Sequence, residues 1–175
     1  MQEKRQIAGI TIVIIIIVLA GFISYSYFSL GTLIVELTDP PAGWANASQI
    51  YLSWRAIEVH RADAADASGW YTVISQGDTT NLTKLLDVTE TLGSYRLEPG
   101  IYNLIRFEIT DATVTINAEN VTANVPSGKL QIAITQGGVV INAGQTSTLL
   151  IDLNITVHGT DQNPTIVPDI RAAPV

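Results

Sequence analysis

The chain has 175 residues, a formal net charge of −7 and no cysteine; with Glu3, Lys4 and Arg5 set aside, 15 acidic face 7 basic residues, a net of −8. So acidic a body is a poor partner for nucleic acid or an anionic lipid surface, and the missing thiols exclude disulfide stapling and thiol chemistry. Stability has to come from packing.

Residues 1–6 form a charged stub, and Ile7 to Ile23 is an unbroken apolar run of 17 residues. As a helix that run covers about 25 Å, short of the roughly 30 Å hydrocarbon core. The charge-free continuation through Leu30 closes the gap. The reading is one transmembrane helix or uncleaved signal anchor over 7–28. Tyr25, Tyr27 and Phe28 suit the headgroup layer, and no Lys or Arg follows before Arg55, so the domain at 29–175 is expected outside the cell with the N-terminus cytoplasmic. Secretion after signal cleavage is the alternative, with Ser24-Tyr25-Ser26 as a poor cleavage site. A pilin-like leader is weaker still, because no small residue follows Arg5 directly.

After Leu30 the period is two. Leu33, Val35 and Leu37 recur at every second position, and Ile105, Phe107 and Ile109, Val114 and Ile116, Leu130, Ile132 and Ile134, and the odd positions from Leu149 to Val157 do the same, mostly with polar residues between. These are half-buried strands. In Ile50, Leu52 and Trp54 the apolar side lies on even positions, then moves to Ile57 and Val59, which predicts a β-bulge near Ala56. Seven turn signals, at 39–43, 63–69, 76–78, 98–100, 126–128, 136–138 and 142–144, divide the chain into about eight or nine strands. The fold class is all-β, an antiparallel β-sandwich. Residues 81–90 could hold a single helical turn, and the proline-bearing tail from Gly159 reads as an extended last strand.

The segments LIVELTDPP, GWYTV, LLDVTE, YRLEPGIYNLIRFEI and LLIDLNI together resemble a domain-of-unknown-function family common in archaeal and bacterial surface proteins, over most of residues 31–175. The most specific piece is Leu97-Glu98-Pro99-Gly100-Ile101-Tyr102 with Ile105-Arg106. Archaeal thread-type filament subunits, which join by giving a strand to a neighbour, are similar to this family. The resemblance implies surface architecture and no established enzymatic role.

The Pro99-Gly100 turn sends Tyr102 and Arg106 out of one face of the next strand, where Arg106 can meet a carboxylate of a neighbouring strand or anchor an anionic ligand. Four N-x-S/T sequons, at Asn46, Asn81, Asn120 and Asn154, are candidate glycosylation sites. His60 and His158 read as surface residues of strands, no catalytic motif occurs, and the loop at 63–69 lacks the spacing of a calcium loop. No metal, cofactor or enzymatic activity is implied. Lys84 and Lys129 are the lysines an intramolecular isopeptide bond would need, though surface lysines are the rule.

The functional expectation is a membrane-anchored cell-surface structural or interaction module whose partners are the bilayer, through Ile7 to Ile23, and other surface proteins or copies of itself. One alternative is a filament subunit that donates Leu33, Val35 and Leu37 to a neighbour's sheet. Another is a carbohydrate- or cation-binding surface protein using exposed Trp44, Trp70 and acidic loops.

Overall fold

The computed structural model describes residues 2–38, 43–85, 88–126 and 128–175, with the side chains of 11–25 in the N-terminal helix. The turns expected at 39–43 and 126–128 lie partly outside these residues, as do the side chains of Ile7, Tyr27 and Phe28.

Helix α1 runs Gln2–Phe28, and its described large apolar side chains, Ile12 to Ile23, are 51–69% exposed. Among the described residues no helix is long and apolar enough to cross a membrane. The side chains described, 11–25, account for about 22 Å of that helix, and the remaining side chains of the span expected over 7–28 lie outside the described residues.

Two residues later the chain becomes strand. The order is β1 Gly31–Thr38, β2 Ala47–Arg61, β3 Trp70–Ile74, β4 Asp78–Asn81, β5 Glu90–Leu97, β6 Gly100–Ile116, β7 Glu119–Thr122, β8 Lys129–Ala133, β9 Val139–Ile141, β10 Thr146–Thr160 and β11 Asn163–Pro174. That makes eleven strands among the described residues where eight or nine were expected. The surplus has a physical cause: β4, β7 and β9 have 4, 4 and 3 residues, too few to show an alternation. The β6–β7 hairpin also turns on Asn117 and Ala118, with φ of 52° and 65°, and an alanine there is no turn signal. The expected helical turn is a 3₁₀ turn at Leu82–Leu85, and the tail is β11.

The strands form two sheets, a four-stranded one in the order β11-β10-β1-β5 and a seven-stranded one built on β3-β2-β6-β7, with β4 on β2 and β8 and β9 on β6. Their inner faces share one apolar core, which includes Leu33, Leu52, Phe107 and Leu153, none of them measurably exposed. At the far edge β11 bridges toward the larger sheet through Asn124 and Ile134, closing that seam. The bulge read near Ala56 is present: the β2–β6 register shifts between Trp54 and Ala56, leaving Arg55 exposed and Ile57 buried.

β1 is an inner strand of its own sheet. It pairs antiparallel with β5 and, against the all-antiparallel expectation, parallel with β10. Its first residues define the helix-proximal end of the sandwich, with Gly31 opposite Leu97 and Thr32 opposite Thr146. The opposite, distal end gathers the starts of β2 and β7 and the β10–β11 turn, where Asn46 and Asn117 both donate to Asp161, at 3.5 and 3.2 Å.

Candidate functional site

The segment Leu97 to Tyr102 turns the chain from β5 into β6 at the helix-proximal end. Leu97 is buried and anchors the turn in the core. The Tyr102 hydroxyl donates to the Glu98 carbonyl at 3.1 Å, a tyrosine that reaches back to the backbone of its own corner. Its ring meets Tyr71 edge to face at 5.8 Å. Burial, and then the neighbouring Tyr71 phenol, push the Tyr102 hydroxyl up to about 12, with Arg61 acting in the opposite direction. Arg61 lies over Gly100 and ties the corner to its surroundings, donating to Asp63 Oδ1 at 2.7 Å and Glu98 Oε2 at 2.8 Å. One guanidinium thereby joins the end of β2, the 62–69 loop and the β5–β6 turn.

Arg106 does not share a face with Tyr102, contrary to expectation. The β2–β6 register places Arg61 opposite Tyr102 and His60 opposite Leu104, so Asn103 is an extra residue that inverts the alternation. Tyr102 therefore points into the core, while Arg106 points outward. There its guanidinium stacks on Trp70, 3.7 Å from the ring centroid, and reaches Glu58 at 3.4 Å and Gln131 at 3.3 Å. The nearby Glu108 pairs instead with Arg55. Both residues expected to contact a ligand are thus engaged within the chain, one in the core and one on the outer face.

His60 corrects another expectation, for it is 3% exposed. The 62–69 loop folds over it, its Nε2 lies 3.2 Å from the Ala65 carbonyl, and its ring is 4.9 Å from Trp70. Nδ1 is enclosed without a partner. Gly69, at φ +80°, makes the cover possible, because a Cβ there would collide with Ala64. His158 is exposed, as expected. Trp44 and Trp70 are half-buried, Trp44 against the core and Trp70 with its indole N–H bound to the Asp66 carbonyl, so neither is the exposed sugar platform considered above. Lys84 and Lys129 are exposed, whereas an isopeptide bond needs a buried lysine, and the neighbouring Asp87 lies outside the described residues. No group of three or more His, Cys, Asp or Glu residues able to hold a metal occurs among the described residues.

The sequons fall in two kinds of place. Asn46 and Asn120 are exposed at the distal end, whereas Asn81 ends β4 and Asn154 is half-buried within β10. Leu33, Val35 and Leu37 are at most 1% exposed inside their own sandwich.

A family of domains of unknown function, DUF4382, matches residues 30–166. The chain belongs to that family. The match supports the resemblance to a family of unknown function, and the segment Leu97 to Tyr102 that carried the resemblance is, physically, the corner described above. No match was found among curated proteins. Among solved structures, a candidate cell adhesion protein from Bacteroides eggerthii is similar at 11% identity and a TM-score of 0.35, covering 83% of this chain and 57% of that one. A second candidate cell adhesion protein, from Bacteroides ovatus, is similar at 10% identity and a TM-score of 0.25, covering 81% of this chain and 44% of that one. This chain spans about half the length of those proteins, and likeness at this level carries no argument about function. These comparisons do not bear on the likeness to archaeal thread filaments.

Proposed function

We propose that this DUF4382 protein is a non-catalytic structural or interaction module of the cell surface, held at the membrane by α1. The observation that carries the reading is the junction of α1 and β1. A 27-residue helix whose described apolar side chains are all exposed is followed, after Ser29 and Leu30, by an inner strand of a sandwich that pairs within itself. So much exposed apolar surface on one element asks for a bilayer or a partner helix. The charge-free stretch from Ile7 supports the bilayer.

Donation of β1 to a neighbour is the second reading. It has in its favour that β1 follows directly on α1 and is paired along both edges, so its withdrawal would leave a strand-shaped gap. Against it stand the three buried side chains that would have to leave their own core. Membrane fractionation of the full chain tests the anchor. It should stay with the membranes in a carbonate wash and come off in detergent, whereas recovery of the intact chain in the carbonate supernatant would refute it.

A further inference from the structure

We propose that N-glycosylation of this protein is confined to Asn46 and Asn120, which would place two glycans side by side at the end of the sandwich opposite α1. This rests on the extracytoplasmic reading above. A transferase acts on the whole tripeptide, reading the Ser or Thr hydroxyl while it attacks with the Asn amide, so the middle residue must be presentable as well. The structure separates the four sequons on that criterion.

At Asn81 the middle residue, Leu82, is 0% exposed in the core, and the Thr83 hydroxyl is enclosed. At Asn154 the middle residue, Ile155, is also 0% exposed. Presenting either sequon means pulling a core side chain into water. Asn46 sits in a turn with Ala47 only half-buried; its amide spans a long 3.5 Å to Asp161, and the exposed Ser48 hydroxyl donates to the Thr115 carbonyl at 3.2 Å on the surface, so neither bond holds a core side chain. Asn120 and Thr122 are exposed and Val121 is only half-buried on β7, an edge strand of four residues after the Asn117-Ala118 turn.

The two sites are neighbours, because Ala47 and Glu119 flank Ile116 from either side, about 10 Å apart at two strand spacings. The co-substrate class is a polyprenyl-diphosphate-linked oligosaccharide. The sugar C1 forms a bond to Asn Nδ2 as its bond to the diphosphate oxygen breaks, the diphosphate leaves with the electron pair, and the amide proton passes to a base of the transferase.

The test is peptide mass spectrometry on the full chain purified from the cells that make it, together with protease treatment of intact cells. Glycan mass is expected on the peptides holding Asn46 and Asn120 and on no other. Ser48→Ala should abolish the first modification and Thr122→Ala the second, each leaving the other in place. Modification at Asn81 or Asn154 would overturn the proposal, as would a bare Asn46 or Asn120 in a chain that external protease digests. A chain protected from external protease would overturn the extracytoplasmic reading and the glycan proposal with it.

Discussion

Leu33→Ala is the sharpest probe of whether β1 belongs to its own sandwich. Leu33 is 0% exposed, faces the core, and lies on a strand hydrogen-bonded on both sides, opposite Tyr95 of β5 and Ser147 of β10. A cavity there cannot close by sliding β1 without breaking two ladders, so the cost belongs in the upper part of the leucine-to-alanine range, about 3–4 kcal/mol. Against a total stability of about 5–15 kcal/mol, the variant stays folded with its thermal midpoint lowered by about 10 °C. Ile34→Ala is the control. It removes a half-buried side chain from the outer face of the same strand and should cost about 1 kcal/mol or less. Urea unfolding of residues 29–175, followed by tryptophan fluorescence at several protein concentrations, reads both. The midpoints should differ at constant slope and be independent of concentration. Equal losses for the two variants would refute the inward placement of Leu33, and a midpoint that rises with concentration would show β1 completing a second copy.

Tyr102→Phe keeps the ring and its contact with Tyr71 but deletes the bond to Glu98, and should cost about 1 kcal/mol. In ultraviolet titration the same variant should lack the phenol that ionises at about 12. Because the folded state holds that proton more tightly than the unfolded chain, the contribution is whole below pH 10 and is lost as pH rises toward 12. A Phe variant as stable as the parent would refute the corner. Asp152 has an enclosed Oδ1 with no partner, and burial raises its carboxyl, with Arg171 offsetting the effect. Its contribution is therefore fully present below the ordinary carboxylate value and is lost as pH rises through the raised value of the folded state. Asp152→Asn should be the more stable protein at neutral pH, with the gap closing in acid, and a parental advantage at neutral pH in urea midpoints would contradict this.

The sequence by itself determined the all-β class, because a period of two over buried positions is a local property of each strand. It determined the bulge beside Ala56 for the same reason, since the apolar side changes parity within one strand, from Trp54 to Ile57. The bulge at Asn103 left no such trace: Asn103 and Leu104 are both half-buried, so nothing in their polarity marks where Tyr102 and Arg106 part company. Only the tertiary structure decided the rest. Whether β1 lies beside β10, more than a hundred residues away, depends on which long-range pairing closes the core, and no local pattern encodes that. Whether His60 is buried depends on a loop folding back over it, and whether a sequon is open depends on what lies beneath its middle residue. Residue type and spacing say what a side chain can do, but exposure and partners are set by the parts of the chain that pack against it.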